Sequence, residues 1–247
     1  MIKSSKPSPS ALMRFYESPY ESLVIKYLKE TNSSVVEKDP EDPFMKMASM
    51  KGGAHESQLF KEFSLKNIKS RVIPEGPLED RLEATKAAMQ EGVDLIYQGA
   101  LESEVFFGIA DFLFKIEGKS NFGDYRYEIW DAKLANKSRP KFIIQLCCYS
   151  EMLLHMQGCL TETCALIYGN REIEKFNIKD YFVFYESIKR QFLEFHSKKK
   201  LTALPNPANY TNWGRFSNHA REELEKKKLE KKLKKIEEDK IIKEKLY

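Results

Sequence analysis

The sequence predicts an α/β protein whose mixed β-sheet lies between helices and which ends in a charged helix. Residues 93–135 contain three runs rich in β-branched and aromatic side chains, separated by polar or glycine-containing turns, which is typical of consecutive strands. Segments on both sides of this region carry apolar residues at helical spacing. Because the sequence has no internal repeat, this order favours a single sandwich of helices around one sheet.

The region before the strands is predicted to be helical. A helix-start signal occupies residues 8–10, and Pro19 implies a break or a second helix start. The polar stretch 31–42 is expected to be a loop. Two further helices are expected after this loop, one following Gly52-Gly53 and one from Gly76-Pro77 to about Gln90.

The second half of the chain alternates between strands and helices. The runs 93–102, 106–118 and 125–135 form the predicted three-strand meander. The apolar run from Pro140 to Gly158 predicts a helix that ends at the glycine. The remaining predicted elements are a strand at 163–169, a helix at 181–195, a Pro/Asn-rich loop and a charged helix from His219.

Charge is concentrated at the C-terminus. The 247-residue chain has a formal net charge of +4, and residues 221–247 carry eleven Lys/Arg and eight Asp/Glu, so the rest is nearly neutral at 4 − 3 = +1. We therefore expect a folded domain at 1–218 and a charged helical tail at 219–247. The tail, or Lys198-Lys199-Lys200, could contact phosphates, but the nearly balanced acids favour a solvated helix face.

The cysteines and the terminus indicate a compartment. Four cysteines are clustered at 147, 148, 159 and 164, which is no disulfide framework and favours reducing conditions. The N-terminus lacks the apolar core of a signal peptide, and no stretch approaches the roughly 18 apolar residues of a membrane span. We expect a cytoplasmic protein with no membrane partner.

Two aspartates and a lysine stand out in the predicted strands. Asp111 lies in an apolar run, where an ionised carboxylate is costly to bury without a partner or a metal. In the next strand, alternation projects Asp131 and Lys133 from one face, and Trp130 and Ala132 from the other. Neighbouring strands are roughly 5 Å apart, so the two carboxylates can share a cation such as Mg²⁺.

Each of these residues also has a simpler interpretation. Asp111 could be a turn residue, and Asp131 with Lys133 could form an exposed charged stripe. The apolar context of both aspartates favours a metal site in which the lysine positions or deprotonates an attacking water. A lone histidine such as His55 is more often structural, so it gains weight only within the set. Three polar residues nearby are expected to have capping roles: Glu56, Gln98 and Glu102.

Four short motifs follow one another in order: GGAH at 52–55, GIAD at 108–111, DAK at 131–133 and QLCCY at 145–149. With these motifs the chain resembles, from about Ser8 to Ala220, the RecB-like nucleases of the PD-(D/E)XK superfamily. Within that superfamily it is most similar to a RecB-like branch sometimes joined to a helicase domain, related to the CRISPR-associated RecB-like exonucleases. The resemblance implies a restriction-endonuclease-like core.

The resemblance also implies roles for individual residues. Metal ligands for Mg²⁺ or Mn²⁺ would be His55, Asp111, Asp131 and the Ala132 carbonyl, while Lys133 would act on the water nucleophile. Gln145 and Tyr149 share one helix face at i and i+4 and would support the site or contact DNA.

One departure concerns the iron–sulfur cluster that many relatives hold through one early and three late cysteines. Here Ser18 stands at the early position, and the late region has no cysteine. Four thiolates are needed for such a cluster, so we expect none. Trp213 and Phe216 are expected to provide apolar packing in its place.

The leading interpretation is a metal-dependent deoxyribonuclease, exonuclease-like, in repair, recombination or mobile-element processing. Its expected partners are single- or double-stranded DNA, with a helicase as a further candidate. Two alternatives stay open: a catalytically inactive nucleic-acid-binding or scaffold module of the same fold, and a stand-alone RNA hydrolase. The joint presence of His55, Asp111, Asp131 and Lys133 favours the enzyme, because a binding module would not need all four.

Overall fold

A computed structural model describes residues 6–197 and 200–245 of the chain. It contains a six-stranded mixed sheet, which confirms the predicted α/β class and is compatible with a restriction-endonuclease-like core. The strands are β1 (Ser70–Val72), β2 (Leu95–Glu102), β3 (Phe107–Ser120), β4 (Gly123–Ala132), β5 (Thr163–Ile167) and β6 (Ile173–Asn177). The helices are α1 (Pro9–Glu17), α2 (Pro19–Thr31), α3 (Pro43–Ser64), α4 (Leu78–Gln90), α5 (Pro140–Gln157), α6 (Ile178–Ser197) and α7 (Ser217–Lys245).

The strands lie in the sheet in chain order, from β1 to β6. The pairs β1–β2 and β4–β5 are parallel, and α4 and α5 are the respective crossovers between them. The other neighbours are antiparallel, so β2, β3 and β4 form the predicted meander.

The two faces of the sheet are covered by different helices. On one face, Leu59 and Phe63 of α3 pack with Leu95, Phe112 and Ile167. On the other face, α4 and α5 pack against β2 and β4. Burial of both faces explains why the central strands are so apolar.

The prolines and glycines mark most of the helix boundaries that the sequence indicates. Helices start at Pro9, Pro19 and Pro140, and α5 ends at Gly158, whose φ of 76° is the left-handed conformation that glycine tolerates. The prediction that a helix begins only after Gly52-Gly53 is wrong, because α3 starts at Pro43 and continues through both glycines.

The chain divides into two compact units. Within the described residues, the first comprises 6–13 and Glu41–Ser197 and contains the whole sheet, and the second comprises Arg14–Pro40 and 200–245. The boundary expected at 218/219 falls inside the second unit, next to the first residue of α7.

The second unit has its own small core. Tyr20, Val24, Phe216 and Ala220 are fully buried there, with Trp213 packed against them. This is the apolar packing expected of Trp213 and Phe216. Nearby, Ser18 donates its hydroxyl hydrogen to the Asn212 carbonyl at 2.9 Å. The absence of an iron–sulfur cluster stays a prediction.

Among the helices of the described residues, none combines the length and the apolar composition that crossing a bilayer requires.

Cys147, Cys148 and Cys164 are buried in the apolar interior, and all four cysteines are free.

Candidate functional site

The register between β3 and β4 brings the two aspartates side by side. Phe112 pairs with Trp130, so one residue further along the antiparallel pair Asp111 lies opposite Asp131. Trp130 and Ala132 pack on the α3 face of the sheet, as alternation predicts. The two carboxylates therefore share the opposite face of adjacent strands.

Asp111 is the most perturbed acid of the site. Its Oδ2 accepts a hydrogen bond from the backbone N–H of Ala132 at 2.8 Å. The pKa of Asp111 is raised well above its ordinary 3.8, first by burial and then by the negative charges of Asp131 and Glu56. The opposing effects of Lys133 and the Ala132 N–H are outweighed. The negative charge of the neighbouring carboxylates at this site thus exceeds what Lys133 compensates.

Lys133 follows the last residue of β4 and turns back to the buried Asp131. Its Nζ forms an ion pair with Asp131 Oδ2 and lies 5.4 Å from the centre of the Phe142 ring. Burial favours the neutral amine, but Asp131, Asp111 and Glu56 outweigh it and leave the pKa of Lys133 raised above 10.5. Lys133 is therefore a cation at neutral pH.

Glu56 of α3 belongs to the site, although its sequence pattern indicates only a cap. It accepts a hydrogen bond from the side-chain amide of Gln98. Its pKa is raised, mainly by burial and further by Asp131. The expected capping role is therefore wrong for both Glu56 and Gln98, which lie at the acidic cluster. In the sequence, the feature that points to a site role for Glu56 is its position next to His55 in the GGAHE segment.

Gln98 reaches this place because β2 is distorted there. Tyr97 pairs with Phe112 and Gly99 with Ala110, which puts Gln98 opposite Asp111 across the sheet. Its φ of 59° is left-handed, a conformation that costs a non-glycine residue about 1–3 kcal/mol. Arg81 donates to the Gln98 carbonyl at 3.0 Å and holds the distortion. Strain is thus concentrated beside Asp111.

His55 faces a different set of groups. Its Nδ1 lies 2.9 Å from Nη1 of Arg171, which also donates through Nη2 to Glu62 at 2.9 Å. Because arginine can only donate, Nδ1 accepts and the imidazole is neutral. The pKa of His55 is lowered by burial and then by the Arg171 charge. A neutral ring that accepts at Nδ1 carries its proton on Nε2, so either nitrogen could bind a metal only after Arg171 releases Nδ1. The predicted ligand role of His55 therefore stays a prediction.

Tyr149 and Gln145 lie on α5, which packs on the face of the sheet that carries the two aspartates. The Tyr149 hydroxyl donates to the Ile109 carbonyl at 2.6 Å, and its pKa is raised by burial and by Asp131 and Asp111. Gln145 contacts that hydroxyl, while its Oε1 is buried with no hydrogen-bond partner in the described part of the chain. The Tyr149 ring fits against β3 because residue 108 is a glycine, and a Cβ at that position would lie 2.8 Å from the ring.

The donor set of the site suits a hard cation that keeps much of its water. Across residues 6–197 and 200–245, no three His, Cys, Asp or Glu side chains are grouped as a metal-holding set. Mg²⁺, however, commonly uses one or two carboxylates and completes its shell with water and phosphate oxygens. Asp111 and Asp131 satisfy that need, and Glu56 adds charge. The predicted role of the Ala132 carbonyl stays a prediction.

A scan against protein-family models and a search of curated proteins find no match to this chain. The RecB-like resemblance therefore rests on the residues of the four motifs alone.

Proposed function

We propose that this chain is a metal-dependent nuclease that hydrolyses phosphodiester bonds in DNA. The observation that carries the proposal is the crowding of Asp111, Asp131 and Glu56 around Lys133, with the pKa of Asp111 raised by burial and by its carboxylate neighbours. Crowded carboxylates repel unless a cation lies between them. A perturbed acid cluster next to a partly buried lysine is typical of catalytic centres.

Asp111 and Asp131 would hold Mg²⁺ or Mn²⁺, and Glu56 would contribute charge or bind a coordinated water. When bound, the ion supplies a water of lowered pKa and offsets negative charge on the phosphoryl group. Both aspartates approach from rigid adjacent strands, which fixes their carboxylates before substrate arrives. The Ala132 N–H restricts Asp111 Oδ2 further.

Lys133 serves as a positioning cation in this proposal. A lysine beside a metal-bound water can either orient that water or take its proton. A raised pKa favours the protonated amine, which donates hydrogen bonds and cannot accept a proton. Lys133 would thus orient the attacking water and stabilise charge on the phosphate oxygens.

The residues of α5 would support the reaction by positioning the strand that carries Asp111 and by contacting substrate or water. Tyr149 holds the Ile109 carbonyl two residues before Asp111, so it fixes the end of β3 that carries the aspartate. The unpartnered Oε1 of Gln145 leaves this residue as the candidate for a contact with substrate or coordinated water. DNA as substrate, and exonuclease-like action in repair, recombination or mobile-element processing, come from the RecB-like resemblance.

A digestion panel tests the proposal. Full-length protein is incubated with linear duplex, circular duplex and single-stranded DNA, and with RNA, in Mg²⁺, Mn²⁺ or EDTA. We expect DNA cleavage that needs the metal and falls about 10²–10⁴-fold in Asp111→Asn and in Lys133→Ala.

Glu128→Gln is the matched control. Glu128 is a buried carboxylate of β4, the strand that also carries Asp131, and it has hydrogen-bond partners of its own. This variant should retain cleavage. Cleavage that persists in the Asp111 and Lys133 variants would remove the site from the proposal. Cleavage of RNA alone would favour the RNA hydrolase, and binding without cleavage of any substrate would favour the inactive module.

A further inference from the structure

One segment of α7 carries a concentration of positive charge that the candidate site does not use. Residues 226–235 read KKKLEKKLKK, which is seven lysines and one glutamate, or 7 − 1 = +6 over ten residues. The other acids of the tail lie outside this segment, at 222–225, 237–239 and 244. Near-neutral overall composition therefore conceals a strongly basic stretch of helix.

The lysines of this segment, hereafter the lysine segment, are all exposed. Lys227 donates to Oδ1 of Asn206 at 3.0 Å, and Asn206 carries no charge. No carboxylate in the part of the chain that the structure describes forms an ion pair with any lysine of the segment. The charge is thus available to an external anion.

The helix also sorts these side chains by direction. With about 100° between successive residues, six of the lysines fall within an arc of about 160°. These six are Lys227, Lys228, Lys231, Lys232, Lys234 and Lys235. Leu229, Leu233 and Ile236 are exposed on a narrow stripe centred about 150° away. One face of the helix is thus basic and nearly the opposite face is weakly apolar.

We propose that the lysine segment binds the phosphate backbone of a nucleic acid. It is about 14 Å long, and duplex DNA presents about eight phosphates over that length. A lipid surface fits less well, because the apolar stripe consists of three aliphatic residues and has none of the aromatic side chains that help anchor such helices in a bilayer interface. The contacts would be independent of base sequence, since lysines recognise phosphates as point charges. The proposal concerns the second unit alone and does not depend on catalysis.

Binding of full-length protein to a fluorescently labelled 30-base-pair duplex tests it, with EDTA present so that cleavage cannot interfere. The test variant replaces Lys231, Lys232, Lys234 and Lys235 by Gln, which keeps helix propensity. The matched control replaces four scattered exposed lysines by Gln and so has the same net charge: Lys29, Lys86, Lys119 and Lys179.

We expect the test variant to bind at least about tenfold more weakly near 0.1 M salt. Its plot of log affinity against log salt should be shallower by about 0.9 for each phosphate that the variant no longer neutralises. The control should behave like the wild type. Glu230→Gln, which removes the only acid of the segment, should tighten binding. Circular dichroism checks that α7 remains helical in each variant.

Equal affinity and equal salt slope in the test variant and the scattered control would overturn the proposal. Lysine-dependent binding to phosphatidylserine vesicles without binding to DNA would also overturn it and point to a membrane surface. If the wild type binds DNA through these lysines but cleaves nothing, the nuclease proposal fails and this one stands.

Discussion

Two buried carboxylates lie three residues apart on β4 and differ in the polar groups that surround them. Glu128 and Asp131 are each 1% exposed. Glu128 accepts hydrogen bonds from Trp130 Nε1 at 2.7 Å, Thr163 Oγ1 at 2.6 Å and Lys175 Nζ at 3.0 Å. Asp131 instead has a second carboxylate beside it and shares one lysine with the cluster.

The difference shows that burial of a carboxylate does not by itself mark a functional site. Glu128 forms an ion pair with Lys175 and accepts hydrogen bonds from Trp130 and Thr163, so its carboxylate is satisfied within the fold. Asp131, Asp111 and Glu56 hold charge that the fold leaves partly uncompensated, and that is the condition for binding a cation from outside. Substitutions of either group test this difference between a satisfied carboxylate and an unsatisfied cluster.

The largest effect on stability is expected at Glu128. Glu128→Ala leaves the Trp130 N–H and the Thr163 hydroxyl without their acceptor at a partly buried position. We expect the free energy of unfolding to fall by about 2–4 kcal/mol. Urea unfolding followed by circular dichroism measures it, with the exposed Glu172→Ala as control. A decrease no greater than that of the control would mean that the hydrogen bonds of Glu128 do not stabilise the fold.

A smaller effect of opposite sign is expected at Asp111. Asp111→Asn keeps an acceptor for the Ala132 N–H and removes one of the repelling charges. In EDTA at pH 7 we expect a gain of about 1 kcal/mol, or a melting temperature about 2–4 °C higher. The exposed Asp124→Asn serves as control and should leave the melting temperature unchanged.

The pH dependence follows from the direction of the shift. A carboxyl whose folded pKa is raised contributes most to stability below its unfolded value of 3.8, and that contribution is lost as pH rises through the folded pKa. The advantage of Asp111→Asn over the wild type should therefore grow from about pH 4 upwards. An advantage that shrinks with rising pH would contradict the crowding of carboxylates at this site.

Much of the site follows from the sequence because alternation and strand order are local properties. Asp111, Asp131 and Lys133 lie on consecutive strands with an unambiguous apolar pattern, so their faces were predictable. Glu56 and Gln98 were not. Their contact depends on a left-handed residue within β2 and on where α3 packs, and neither is encoded in a short window.

The elements that are hard to place from the sequence have similar causes. The strand β1 has three residues, too few for a clear pattern, and β6 is mostly exposed, with Phe176 as its one buried residue. Helix α3 continues through Gly52 and Gly53, although each glycine costs about 1 kcal/mol relative to alanine. The other residues of this 22-residue helix offset that cost. Local helix propensity alone does not predict this continuation through the glycines.

The smallest effect is expected at His55, where the pKa of the imidazole should change. Arg171→Ala removes the cation that lies on Nδ1, so the pKa of His55 should rise while burial continues to hold it down. Histidine NMR titration measures the change, and the exposed Arg190→Ala provides the control. An unchanged His55 pKa would show that Arg171 does not occupy the imidazole, and the histidine would then be free to bind the metal.

A manganese titration tests whether Asp111 and Asp131 hold a metal ion. Free Mn²⁺ is counted by electron paramagnetic resonance during titration of the wild type, Asp111→Asn and Glu128→Gln. The crowded cluster should bind the ion in the wild type and in Glu128→Gln with similar affinity, and at least about tenfold more weakly in Asp111→Asn. Equal binding by all three proteins, or no binding by the wild type, would contradict a metal centre at Asp111 and Asp131.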